Sequence, residues 1–288
     1  MASMAWLTRS VTASRTWVSR NASNTGTRRR SLPTLSVHRD VAFRSGGAAH
    51  TAIDIWFLPA FADSHLCFRE AFSSSLVKWA QVFAFDPPGH GASPPRPRGL
   101  TIQSAARIWR ELIARFSASR LVVLVGHSMA GIIASHTARL LARPPALVIS
   151  VEGNFTRADA YFTARAVQYD TPDAFYASFR SRIRRRASGD ESVRRFARSL
   201  EFADATTLWR LGQSVVGYPD PGGDFVRLQC PKIHYWNPAS SSKSAQPFLD
   251  RRRVPQRRLD GLGHWPMVKS SRDFHATIEH DIRTTRSL

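Results

Sequence analysis

The stretch "LVVLVGHSMAGIIASHTARLL", residues 121 to 141, breaks an apolar run at Ser128 and resumes with helical spacing. A serine hydroxyl is a poor nucleophile at neutral pH. It needs a neighbouring base, and an acid to hold that base in one tautomer and stabilise its cation. A sharp strand-to-helix turn would lift the hydroxyl above a sheet and set the next backbone N–H at the positive end of a helix. Such a turn is cramped, so the residues two before and two after the serine must be small. Gly126 and Ala130 meet that demand, with Gly131 adding clearance. The plainer alternative is that Ser128 only caps the helix that follows it.

The surrounding elements support a strand-to-helix turn. "RLVVLVG" has the two-sided apolarity of a central parallel strand, and the following helix is expected to stop near Pro144-Pro145. Upstream, "LSVHRDVAF" reads as a strand followed by a turn at Gly46-Gly47, and "AIDIWFLPA" as another strand. "SHLCFREAFSSSL" reads as a helix, "AQVFAFD" as a strand ending at Asp86, and "TIQSAARIWRELIARF" as an amphipathic helix. "ALVISVEG" is a further strand. After Asn154 no strand pattern recurs until "PKIHYWN", which is followed by a helical stretch from Ser244 to Arg252, the strand "VPQRRLDG" and an amphipathic segment from Val268 to Arg283. Alternation of this kind predicts an α/β fold with a mostly parallel central sheet flanked by helices. Residues 35–154 and 219–288 would form its core, and residues 155–218 a helical cap.

Composition bounds the function classes. A chain of 288 residues, 43% hydrophobic, can bury a full core. No run approaches the roughly 18 apolar residues of a membrane span, so a soluble protein is expected. Cys67 and Cys230 are too few for a disulfide framework and are expected as small core residues. The net charge of +20 suits a polyanion. However, 37 of the 41 basic residues are arginines, dispersed and without an aromatic-interleaved RNA motif or a DNA-reading module. Non-specific polyanion binding therefore ranks below the chemistry of the site. Residues 1 to 39 lack Asp and Glu and carry seven arginines among Ser and Thr. Residues 1–34 read as a disordered basic extension: either an organelle transit peptide or an upstream extension without function. The default compartment is the cytoplasm, with organelle import as the alternative.

"FAFDPPGHGAS", "VGHSMAG" and "GLGHWPM" occur in the order and approximate spacing of motifs in the α/β-hydrolase superfamily, which the chain resembles from about residue 50 to 285. The first motif, Asp86 to Ser93, resembles the loop the family writes D-x-P-G-H-G-x-S. Its prolines and glycines describe a tight turn, with His90 and Asp86 as structural residues. The resemblance implies a serine hydrolase, esterase-like, that cleaves an ester or related acyl bond of a small molecule through an acyl-enzyme. No cofactor and no metal are implied. Transfer of the acyl group to another acceptor, or a non-catalytic ligand-binding protein on the same fold, are the alternatives; the oligomeric state is open.

In that frame Ser128 is the nucleophile and His264, on a glycine-rich loop after a strand, is the base. The plain alternative for His264 is a surface loop histidine. His127 should point away from the serine and pack beside the pocket. The acid is Glu152, at the end of "ISVEG", or one of Asp250, Asp260, another acid or none, because "YWNPASSSKS" lacks the carboxylate usual after the seventh strand. Glu152 could instead bind a cap residue such as Arg157. The oxyanion hole would use the backbone N–H groups of Met129 and Phe61. The loop carrying Phe61 reads Leu58-Pro59-Ala60-Phe61, without the family's usual His-Gly. Phe155, Tyr161, Phe162, Tyr169, Phe175, Tyr176, Phe179 and Trp209 could line an apolar pocket or simply pack as core.

Overall fold

Short runs of β-branched and aromatic residues, buried on both faces, build the centre of the molecule. The computed structural model describes residues 31–48 and 50–285. In it, β3 (Ile53–Leu58), β4 (Gln81–Phe85), β5 (Leu121–His127), β6 (Leu147–Val151), β7 (Lys232–Trp236) and β8 (Gln256–Arg258) run parallel. β1 (Ser31–His38) and β2 (Val41–Gly47) join antiparallel at one edge. Among the described residues this gives an eight-stranded sheet in the order β1-β2-β4-β3-β5-β6-β7-β8. The order reverses around β3 and β5, which opens a crevice at the strands' C-terminal ends.

Helices cover both faces. α1 (Ile102–Phe116) starts at a reciprocal cap between Thr101 and Ser104 and lays a continuous apolar face on the sheet. Trp56 of β3 stacks on both Phe83 and Phe85 of β4, with ring centroids 4.5 and 4.8 Å away, and meets Trp109 of α1 edge-on. Each such aromatic pair contributes about 1 kcal/mol beyond its buried area. α2 (Ala130–Leu140) follows β5, and α9 (Ser271–Thr285) closes the chain's described part.

Between β6 and β7 the described chain is helical or irregular: α3 (Pro172–Arg186), α4 (Glu191–Leu200), α5 (Ala205–Val216) and α6 (Pro221–Val226) follow two short 3₁₀ segments. Arg180 and Arg184 of α3 both bind Glu201 on the surface, as a solvated charged face should. Cys67 and Cys230 are buried free thiols.

Three elements differ from the sequence reading. "LSVHRDVAF" is a hairpin and not one strand: Arg39 and Asp40 take φ of 48° and 64°, the paired left-handed conformation that reverses a two-residue turn. Gly46 and Gly47 lie inside β2, opposite Val82 and Gln81, and form no turn. A side chain at Gly47 would sit 2.2 Å from the Ala80 carbonyl oxygen, so glycine there serves close strand packing. His65–Ser73 and Ser75–Lys78 are 3₁₀ segments broken by non-helical backbone at Phe68, where the sequence suggested one helix. Serines 64 and 74 cap these short turns with their hydroxyls and so punctuate the run. β1 begins at Ser31, ahead of the expected core boundary at residue 35; residues 1–30 of the expected basic extension lie outside the described residues. Among the described residues no helix is long and apolar enough to cross a membrane.

Candidate active site

Ser128 occupies the break between β5 and α2 with φ of 55°, a left-handed conformation. Its N–H donates to the Val151 carbonyl at the end of β6 (2.8 Å), and its carbonyl accepts from Gly131 N–H (2.9 Å). The turn is as crowded as its sequence suggests. A Cβ on Gly126 would come within 2.5 Å of the Ala130 carbonyl oxygen and 2.9 Å of Gly131 N, both backbone atoms that cannot swing aside. Ala130 itself is fully buried within α2, where its methyl group is accommodated. The N-cap of α2 is Met129, which makes no side-chain cap bond, and Gly131 N–H is taken by the Ser128 backbone carbonyl.

On the neighbouring strand, Glu152 follows β6 with φ of 51°. Its N–H donates to the Tyr235 carbonyl of β7. One carboxylate oxygen accepts from Asn237 N–H and the Ser241 hydroxyl; the other faces Nδ1 of His264 at 3.3 Å. Both side chains are buried, Glu152's almost completely. The geometry therefore joins Glu152 to His264. Asp250 receives a hydrogen bond from Gln256, and Asp260 pairs with Arg258 on the surface. Neither Arg157 nor any other cation is needed to account for the Glu152 carboxylate, which has two donors on one oxygen and a histidine on the other.

His264 is set by its loop as well as its ring. The buried His127 ring donates from Nε2 to the His264 carbonyl (2.7 Å), and the two rings lie 5.0 Å apart. Burial first, and the neighbouring His264 second, push the His127 imidazole well below its ordinary pKa. It therefore stays neutral, with its single proton on the nitrogen that donates. His127 packs beside the pocket, as expected, but it also tethers the loop that carries the candidate base. Tyr161 reaches the same ring, its hydroxyl 3.5 Å from His264 Nδ1.

Ser128 and His264 line one narrow slot with Ala60, Phe61, Tyr161 and Trp265, with a cavity volume of about 10 Å³. Phe61 sits second in a turn that Asp63 N–H closes onto the Ala60 carbonyl, with Ala62 at φ of 61°. Met129, directly after the serine, opens α2. Of the candidate cap aromatics, Tyr161 and Phe162 reach the slot. Phe175 and Phe179 pack on Phe61 instead, and Phe155 packs on Phe225 and His234. Two further lining residues, Phe196 and Trp265, escaped the sequence reading. Trp265 directly follows His264 in the sequence, and Phe196 sits among the arginines of α4.

The Asp86 loop is structural, as its sequence suggests. One Asp86 oxygen binds both the backbone and the ring of His65, and the other accepts from Ala92 N–H. His90 is buried in the same turn, its Nδ1 3.2 Å from the Pro88 carbonyl. Among the described residues no group of three or more His, Cys, Asp or Glu converges as a metal site would require.

Asp63 carries a pH signature. Burial pushes its carboxyl up to about 6, against the opposing effects of Ser64 N–H, Ser199, Cys67 and Trp265. The unfolded value is 3.8, so between these values the native chain keeps a proton that the unfolded chain releases. Stability conferred by the neutral carboxyl is complete below about pH 4. It falls through the window up to about pH 6, by about 3 kcal/mol in total. Asp63→Asn is expected to flatten this decline, so its melting temperature relative to wild type should rise between about pH 4 and pH 6 and stay level above that. Parallel melting curves across that range would contradict the assignment.

An alpha/beta hydrolase family model matches residues 47–277. No curated protein matches the sequence. Among solved structures, the chain is similar to a thermophilic esterase from Thermogutta terrifontis at 17% identity and a TM-score of 0.69, covering 89% of this chain and 99% of that one. It is similar to the N-acyl homoserine lactonase AidH, solved as a mutant complexed with N-hexanoyl homoserine, at 15% identity and a TM-score of 0.69, covering 89% and 98%. A structure from work on carboxylesterases of the ammonia-oxidizing thaumarchaeon Nitrososphaera gargenis aligns at 14% identity and a TM-score of 0.67, covering 88% and 99%. At these identities the likeness is one of fold.

Proposed function

The chain belongs to the alpha/beta hydrolase family, and from that premise we propose that it is a serine hydrolase cleaving an ester or related acyl bond of a small molecule. The observation that carries this reading is the Glu152–His264 pair, facing the slot that Ser128 enters from a left-handed turn. Ser128 Oγ attacks the substrate carbonyl carbon while His264 Nε2 takes its proton. Glu152 holds the opposite ring nitrogen protonated and stabilises the resulting cation. Backbone N–H groups of Met129 and Phe61 receive the negative oxygen of the tetrahedral intermediate. Its collapse breaks the bond to the leaving group, which takes the proton from His264 and leaves an acyl-serine. Water, deprotonated by the same histidine, then attacks the acyl-serine and releases the acid and free Ser128.

In this reading the helices of residues 155–218 are a cap that shields the slot, with Tyr161 and Phe162 as its roof. Esterase and lactonase names among proteins of like fold support an ester or lactone carbonyl as the reacting group. The test is covalent. A fluorophosphonate probe should label the wild-type protein and leave Ser128→Ala unlabelled. Folded wild-type protein that takes up no probe would sink the reading and leave a binding protein on a hydrolase fold.

A further inference from the structure

With Phe196 and Trp265 as they stand, the slot holding Ser128 and His264 has room for about one water. Against one of its walls lies a second cavity of about 430 Å³, within the range of pockets that take small-molecule ligands. The two share a partition, Phe196 of α4 and Trp265, whose rings stand 5.2 Å apart. Trp265 directly follows His264, so this wall is a side-chain width from the candidate base.

The second cavity has predominantly apolar walls. At its mouth stand Leu66, 49% exposed, and Phe202, 68% exposed, two large apolar side chains left in water where the rest of the local core is covered. Exposed apolar groups that converge on one concavity mark a binding mouth. Its charged lining residues are Asp63 and Asp86, both buried, and Arg69, Arg195 and Arg198, of which Glu70 engages the first two, so the apolar walls set the character of the occupant.

We propose that this cavity receives an uncharged apolar chain of the substrate, which threads between Phe196 and Trp265 while its ester group lies in the slot. Turning either ring off the partition joins the two spaces. The claim rests on the hydrolase reading for its turnover arm and is independent of it for its binding arm. The chain could belong to the acyl or the alkoxy side of the ester. The acyl side is probed with p-nitrophenyl octanoate against p-nitrophenyl acetate, the alkoxy side with octyl acetate against ethyl acetate.

Wild-type protein should prefer the octyl member of one pair by at least tenfold in kcat/KM. Phe202→Glu, a change at an exposed position that the fold tolerates, should abolish most of that preference, and Ala92→Trp, which narrows the mouth, should do the same. Equal kcat/KM for short and long members of both pairs, or variants that move both members alike, would overturn the cavity assignment while leaving the hydrolase intact. The binding arm uses Ser128→Ala: p-nitrophenyl octanoate should quench tryptophan fluorescence saturably, and the added Phe202→Glu should weaken that binding at least tenfold. Saturable quenching without turnover by wild type would uphold the cavity and discard the hydrolase. Absence of quenching would discard the cavity.

Discussion

Ser128→Ala should lower kcat for p-nitrophenyl acetate by about 10⁵- to 10⁶-fold, the loss seen when the nucleophile of a serine triad is removed. Methyl for hydroxymethyl is a small change in volume, and the left-handed turn is held by backbone bonds to Val151 and Gly131 that the substitution leaves in place. The variant is therefore expected to melt close to wild type, which separates chemistry from folding. A residual rate of about 10³ over water would come from the Met129 and Phe61 amides and from substrate positioning. Retention of a tenth or more of the wild-type rate would remove Ser128 from the mechanism. Measuring the first turnover alongside the steady state also asks whether an acyl-enzyme accumulates.

Glu152→Gln should cost about 10⁴-fold in kcat, and the reason lies in how its two oxygens are used. One is committed to donors, Asn237 N–H and the Ser241 hydroxyl, which an amide oxygen can still satisfy. The amide nitrogen must then face His264 Nδ1 and offer a proton where the carboxylate accepted one. Histidine answers by carrying its own proton on Nε2, the nitrogen that must take the serine's. The rate should fall with little change in KM for a short ester, and the chain should stay folded. Wild-type kcat in this variant would show that the Glu152–His264 contact only fastens the loop. His264→Ala sets the scale against which that loss is judged.

How much of this could be read from residues alone varies along the chain. The central strands and the elbow announce themselves, because burial on both faces forces uninterrupted apolar runs and a crowded turn forces Gly126 and Ala130. Glu152 could be preferred over the other acids but its partner could not be read, since the pairing with His264 depends on β7 arriving beside β6 and on a loop 112 residues away. The tether from His127 was beyond reach for the same reason. A histidine beside a serine carries no sign that its ring will find a backbone carbonyl 137 residues later. Misreading Arg39-Asp40 has a local cause: Arg39 gives no sign of a left-handed backbone, and Asp40 alone gives a weaker one than glycine would. Phe196 was hidden by its neighbours, because the arginines of α4 face solvent on one side of a helix whose other side buries Phe196 and Leu200.

The two left-handed residues at the ends of β5 and β6 also bear on how such a protein ages in evolution. An L-residue held at φ near +50° costs about 1 to 2 kcal/mol relative to its relaxed backbone, and glycine would relieve that cost at either place. Ser128 and Glu152 are thus positions where the stability optimum and the proposed chemistry point to different residues. A copy of this gene relieved of catalysis would gain robustness by drifting to glycine at residues 128 and 152. Ser and Glu therefore stand at these two places against the preference of the backbone that holds them.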